Sequence, residues 1–174
     1  MPYCERNRWS MPLSDLTQAR LKEVLSYSPE TGEFKWLVFI KGNRGAGTTA
    51  GSRRADGYVT IKLDYGRYLA HRLAWFYMTG KWPKEEVDHI DRNPSNNSFS
   101  NLREATKSQN MANSIGKTKI SKSGLKGVLW CEKDNRWYAR IKHIHLGSFI
   151  CPAAAHLTYI VAAHKQYGQY SRSI

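Results

Sequence analysis

The chain has 174 residues, with 27 Lys and Arg against 14 Asp and Glu, a formal charge of +13 and a pI near 9.8. Such a balance points to a polyanionic partner, and 41% hydrophobic residues with 6 Trp and 10 Tyr describe folded cores rather than a disordered basic tail. No apolar run approaches the roughly 20 residues that span a bilayer, Met1-Pro2-Tyr3-Cys4-Glu5-Arg6 has no signal-peptide segment, and three cysteines without a CxxC pair suit neither a disulfide framework nor a zinc ribbon. Membrane insertion and secretion are set aside, and a reducing, cytoplasmic compartment is expected.

Ser14-Asp15-Leu16-Thr17 opens a first helical pattern, with Leu16, Leu21, Val24 and Leu25 on its apolar side. It stops before Pro29, in the turn Ser28-Pro29-Glu30-Thr31-Gly32. Glu33 to Val38 reads as a short strand. Lys41 to Arg54 is a basic, glycine-rich loop without a GxxxxGK[ST] pattern, so it is no phosphate-binding loop of the nucleotide type. Its Lys41, Arg44, Arg53 and Arg54 suit a DNA backbone or plain solvent. Tyr58 to Leu63 alternates like a strand and turns at Asp64-Tyr65-Gly66. A helical run follows from Leu69 to Met78, closed by Gly80, with His71 and Arg72 inside it. His71 either approaches the chemistry or a phosphate, or is a hydrogen-bonded core histidine. Arg72 is a further candidate DNA contact.

The next stretch carries the chemistry. Val87-Asp88-His89-Ile90 sets an acid beside a histidine, and Asn101 and Asn110 follow His89 by 12 and 21 residues. Asp88 offers a hard oxygen to a magnesium-type cation, and Asn110 can add a neutral carbonyl oxygen. His89 points the other way in an extended segment. With an ordinary pKa of about 6.5 it can take a proton from water near neutrality. The intervening Pro94-Ser95-Asn96-Asn97 and Phe99-Ser100-Asn101 are turn-rich and polar, so the loop needs internal hydrogen bonds or an ion to hold its shape. Asn101 fits as its clamp, aiming His89. Leu102 to Ala112 is expected to be a short helix presenting Asn110.

The text Tyr68-Leu69-Ala70-His71-Arg72-Leu73-Ala74-Trp75, Val87-Asp88-His89-Ile90-Asp91, Asn96-Asn97, Asn101-Leu102-Arg103-Glu104-Ala105-Thr106 and Ser108-Gln109-Asn110 resembles the HNH endonucleases of bacteriophages, many of them homing endonucleases. The resemblance implies a beta-beta-alpha metal finger over a scissile phosphate. It casts Asp88 and Asn110 as ligands of one divalent ion, Mg2+ or alternatively Mn2+. It makes His89 the general base and Asn101 the middle asparagine, with asparagine in the third motif position as in the phage subgroup. Arg103, beside that asparagine, is a further candidate DNA contact.

Residues 113–123 have linker composition, with Lys117, Lys119 and Lys122 among serine, threonine and glycine. A basic linker can also track DNA. Three strand candidates follow, Lys126 to Cys131, Trp137 to Lys142 and Ile144 to Phe149, then a helix from Pro152 to Tyr167 ended by Gly168. The helix is expected to pack its alanines, Leu157, Ile160, Val161 and Ala162 on the sheet. Alternation then exposes Lys126, Trp130, Tyr138, Arg140 and Lys142 as a DNA-facing surface, with Trp137 in the small core. Gly124-Leu125-Lys126-Gly127-Val128, Trp137-Tyr138-Ala139-Arg140-Ile141, His145-Leu146-Gly147-Ser148-Phe149 and the alanine-rich helix resemble the AP2 DNA-binding domain. The link between the second and third strands is shorter here than in that family, and the usual acidic residues at the helix start are replaced by Cys151-Pro152-Ala153.

The expected protein is therefore α+β. An HNH nuclease domain (1–112) is joined by a basic linker (113–123) to an AP2-like sheet and helix (124–174). It is expected to be a monomeric, metal-dependent endonuclease on double-stranded DNA, a phage homing endonuclease or nickase acting in the bacterial host's cytoplasm, with no obligatory protein partner. A non-catalytic DNA-binding or regulatory protein that keeps the HNH shell is the alternative; an RNA-binding protein is a third reading.

Overall fold

A computed structural model describes residues 16–39, 45–64, 66–114 and 122–171. Arg44, Lys117 and Lys119, together with Lys41 and the Ser14-Asp15 start of the first helix, lie outside the described residues. The chain forms two compact units, 1–104 and 105–174. The second unit thus includes the Asn110 segment, whereas composition places the boundary at 113–123.

In the first unit the Thr17 hydroxyl accepts from Arg20 N at 3.1 Å and caps α1 (Gln18–Val24). Leu25, which the apolar spacing assigns to that helix, has extended backbone and begins β1 (Leu25–Tyr27). It pairs antiparallel with β2 (Phe34–Trp36), Tyr27 facing Phe34. A pattern of Leu-Ser-Tyr is too short to announce a strand; pairing across the Pro29 turn creates it. β3 (Ser52–Arg53), β4 (Val59–Leu63) and β5 (Gly66–Leu69) make an antiparallel sheet with β4 in the middle. α2 (Ala70–Thr79) follows and ends at Gly80, whose φ of 72° closes it with a bond to Phe76 O.

Leu21, Val24, Leu25, Ile61, Leu63 and Leu73 are fully buried at the centre of this unit. Each large side chain so buried contributes about 1.5–3 kcal/mol. This core is the support beneath β6 (Glu86–His89), which enters it through Val87, and β7 (Leu102–Ala105), which enters it through Leu102. β6 and β7 pair. Leu102 to Ala105 is therefore strand, not the start of the expected helix. The helix begins at Lys107 because the Thr106 hydroxyl accepts from Gln109 N while the Gln109 side chain accepts from Thr106 N.

That helix, α3 (Lys107–Asn113), opens the second unit. β8 (Val128–Cys131), β9 (Arg136–Ile141) and β10 (Ile144–Phe149) form an antiparallel sheet in the order β10-β9-β8, covered by α4 (Pro152–Tyr167). Gly127, φ 75°, lies where a Cβ would come within 2.1 Å of the Tyr159 ring, so only glycine admits this helix-to-sheet approach. The short link before β10 is a turn at Lys142-His143, followed by a register shift between His145 and Gly147.

Two expectations for this unit are corrected. α4 buries Ala155, Tyr159 and Ala163, whereas Leu157 and Val161 are 57% and 69% exposed. The helix meets the sheet through its small residues and one tyrosine, because that side permits closer approach. Trp130 is directly opposite Trp137 in the register, their rings 4.8 Å apart, so it shares the face of Trp137 and not that of Tyr138 and Arg140.

Candidate active site

β6 presents Asp88 and His89 in succession, and both are buried, at 4% and 5% exposure. They meet different partners, as neighbours on a strand do. Asp88 Oδ2 accepts from Arg103 Nε at 2.9 Å and Nη2 at 2.8 Å, a pair contributed by β7 and largely withdrawn from water. Arg103 is thus a carboxylate partner rather than a free phosphate contact.

His89 Nε2 lies 3.2 Å from Asn97 Oδ1. Asn97 Nδ2 donates to Ser95 O at 3.2 Å, which fixes the amide with its oxygen toward the imidazole. An amide oxygen only accepts, so Nε2 carries the proton and the basic lone pair belongs to Nδ1. Burial, the largest influence, lowers the His89 pKa, against upward pulls from Asn97, Asp91 and Asp88. The imidazole is held neutral, the form a base requires.

His71 stands on α2 with its ring 4.9 Å from that of His89 in an edge contact, and Tyr58 is 5.5 Å and 6.0 Å from the two histidine rings. His71 is 4% exposed, which removes it from any DNA-facing surface. It is a core histidine, yet its buried Nδ1 has no hydrogen-bond partner among the described residues. Desolvation, aided by His89 and Arg72, pushes its pKa down to about 3.

The loop from Ile90 to Asn101 closes on Asp91. Asp91 Oδ1 accepts from Asn93 N at 2.8 Å and Asn101 Nδ2 at 2.9 Å; Oδ2 accepts from Asn96 Nδ2 at 2.7 Å. Asn101 Oδ1 accepts from Asp91 N at 3.0 Å, and Asn101 Nδ2 also donates to Asn96 O at 2.9 Å. Desolvation pushes the Asp91 pKa up, but the bonds from Asn93, Asn96 and Asn101, with His89 nearby, outweigh it and hold it below the ordinary carboxylate value. Asn101 shapes the loop, and the amide that touches His89 is that of Asn97. Sequence reasoning singled out Asn101 and passed over Asn97, Asp91 and Tyr58. The run of four Asn and three Ser between 93 and 101 signalled the network without saying which amide meets the imidazole.

The donor set decides what ion it suits. Among the described residues no group of three or more His, Cys, Asp or Glu is placed to hold a metal. Two carboxylates stand near the histidine, Asp91 bound by the loop and Asp88, directly beside it, paired with Arg103. One carboxylate, amide oxygens and water suit a hard divalent ion that keeps much of its hydration. Asn110 is half-buried on α3, in the second unit.

The remaining candidate contacts divide by exposure and partner. Arg53 is exposed on β3, and exposed Arg54 pairs with Asp56 at 2.7 Å. Arg72 reaches Glu85 O and Pro83 O at 3.3 Å and 3.4 Å, so it braces a turn. Lys122 pairs with Glu132. Lys126 Nζ donates to Met111 O, Ala112 O and Ser114 O at 2.7–2.8 Å, closing the C-terminal end of α3 instead of facing outward. Arg140 is exposed beside half-buried Tyr138, whose ring lies 4.7 Å from that of His145. Exposed Lys142 lies over the Tyr167 ring at 5.5 Å.

Comparison with known proteins places residues 68–112 in a match to the family described as HNH endonuclease. The chain is similar to Protein 3.8 of Escherichia phage T7, 38% identical over 79 residues, covering 45% of this chain and 64% of that protein. It is similar to an uncharacterized HNH endonuclease of Acanthamoeba polyphaga mimivirus, 39% identical over 82 residues, covering 46% of this chain and 41% of that one. It therefore spans less than two thirds of either relative. A solved structure of the HNH homing endonuclease I-HmuI, described by its DNA binding and cleavage, is 30% identical with a TM-score of 0.42, covering 57% of this chain and 56% of that one. No helix among the described residues is long and apolar enough to cross a membrane. At the level of the family, the matches support an HNH nuclease domain at residues 68–112.

Proposed function

We propose that the chain is a metal-dependent endonuclease that hydrolyses phosphodiester bonds in double-stranded DNA, with His89 as general base. The observation that carries this reading is the Asn97 amide oxygen fixed on His89 Nε2, which assigns the basic lone pair to Nδ1 of a buried imidazole. His89 takes a proton from the attacking water at that nitrogen. Asn97 holds the ring, and Asp91 with Asn101 keeps the loop that carries Asn97 in shape. Asp88 and the carbonyl oxygen of Asn110 would hold a divalent ion of the magnesium or manganese type, which supplies stabilisation of charge on the phosphate oxygens. In this reading the protein works as a monomer of the phage homing type. Residues 124–174 form an AP2-like anchor that holds DNA through exposed Arg140 and Lys142 and half-buried Tyr138, and the 113–123 run is a basic connection to it.

The test is cleavage of an end-labelled duplex with magnesium or manganese, resolved on native and denaturing gels to separate nicking from double-strand breaks. His89→Ala should lose about 10²–10⁴-fold in rate while DNA affinity, dominated by backbone charge, changes by no more than about a few-fold. A His89→Ala protein that cuts as fast as the parent ends the assignment. A second reading, a DNA-binding protein that keeps the shell without the chemistry, is favoured by the Asp88–Arg103 pair, since a guanidinium already neutralises the ligand carboxylate. A parent that binds duplex and never cuts it establishes that alternative.

A further inference from the structure

We infer that the β1–β2 hairpin is a positioning element for His89, acting through the Tyr27 hydroxyl and the backbone of Asn97; the inference rests on His89 as the general base. Tyr27 is 8% exposed, and its hydroxyl donates to Asn97 O at 2.7 Å. The side chain of that same residue holds His89 Nε2. One residue thus links a tyrosine of the N-terminal hairpin to the imidazole. Two further contacts flank it. Phe99 N donates to Pro29 O at 2.8 Å. Gly32, φ 74°, sits so close that a Cβ there would lie 2.3 Å from both Asn97 C and Ser98 N. The hairpin therefore grips the loop along 97–99, the positions that set the direction of the Asn97 amide.

Within the loop the Asn97 side chain donates to Ser95 O, but the loop's other bonds do not hold the Asn97 backbone. They converge on Asp91 and Asn101 and bind the carbonyl of Asn96, not that of Asn97. The Asn97 carbonyl is anchored from outside, by a hydroxyl whose ring is fixed against Phe34 at 4.7 Å and Tyr77 at 5.6 Å. The hairpin lies outside the 68–112 segment that matches the family.

Tyr27→Phe removes the hydroxyl and keeps the ring. In cleavage assays run well below each protein's melting temperature, kcat should fall by about ten- to a hundredfold, the upper end being what a displacement of about 1 Å costs, with KM changed by less than about twofold. In an Asn97→Ala background Tyr27→Phe should cost nothing more, because the amide it aims is gone. Ser26→Ala, the adjacent position on the opposite strand face, should keep the parental kcat. A readout without cleavage is the imidazole proton position from ¹⁵N NMR at a pH where His89 is neutral. The parent should show the Nε2–H tautomer, and Tyr27→Phe and Gly32→Ala should show a mixture. A parental kcat and tautomer in Tyr27→Phe, or a further additive loss in the double variant, overturns the inference. A parent that never cuts DNA defeats the general-base reading instead, and the tautomer measurement then decides alone whether Tyr27 sets the imidazole.

Discussion

His71 carries a consequence at the scale of single residues because its proton uptake differs between the folded and unfolded chain. Its ordinary pKa of about 6.5 is pushed down to about 3 by desolvation first and by His89 and Arg72 after it. The unfolded chain therefore binds the extra proton between those values and the folded chain does not. Stability is whole above the upper value and drains away as pH falls through the window. Asp91 acts in a different range. Its folded pKa is depressed, so its contribution persists above the ordinary carboxylate value of about 3.9 and is lost only below it. The melting temperature should thus fall steadily as pH is lowered from about 6.5 toward about 3. His71→Phe should flatten that dependence; an unchanged pH profile of melting in the variant would show that another group carries it. Arg103→Met tests the neighbouring pair. Leaving the Asp88 carboxylate buried without its guanidinium should destabilise the protein by about 3–5 kcal/mol, read as a lowered denaturant midpoint.

At the scale of elements, α3 is fastened at both ends. Thr106 and Gln109 close its first turn, and Lys126 Nζ accepts the task of satisfying three carbonyls at its last. Thr106→Ala should cost about 0.5–2 kcal/mol. Lys126→Met should lower the melting temperature while leaving DNA affinity nearly unchanged, since its ammonium is engaged with carbonyls; a loss of affinity without a loss of stability would return Lys126 to the DNA-contact group. How much of this was legible follows from where the information lies. α2 and α4 stood out because each ends at a glycine, Gly80 or Gly168, and the three strands of the C-terminal sheet because each alternates between turns. β1, β5 and β7 did not, because each is 3 or 4 residues long and is strand only through a partner. The expected helix starts too early, at Leu102, because the Thr106–Gln109 box that sets the start of α3 went unused. Asp88 and His89 were legible as an adjacent acid and base. Asn97 was not, since choosing it over Asn96 or Asn101 requires knowing that Tyr27 and Gly32 fix its backbone.

For the whole molecule the distribution of charge matters more than its total. Of the 27 Lys and Arg, 11 lie in residues 105–174 with only 2 acidic residues beside them, whereas residues 1–104 hold 16 with 12. Several cations of the first unit are also paired, Arg20 with Glu23 and Asp64, Arg54 with Asp56, Arg103 with Asp88. A polyanion should therefore draw most of its counterion-releasing contacts from the second unit, whose exposed Arg136 and Arg140 lie on the sheet face away from α4. Each phosphate contact removed should reduce the slope of log affinity against log salt by about one. Arg140→Ala should do so, with an added loss of sequence preference of about 1–3 kcal/mol if it reads a base edge. Lys62→Ala on β4, exposed in the first unit, should leave the slope nearly intact. Titration of parent and variants against one duplex and one random-sequence competitor at several salt concentrations separates these effects. Equal slope changes for Lys62→Ala and Arg140→Ala would mean that DNA is held across both units alike, and that the charge excess after residue 105 serves something other than the duplex.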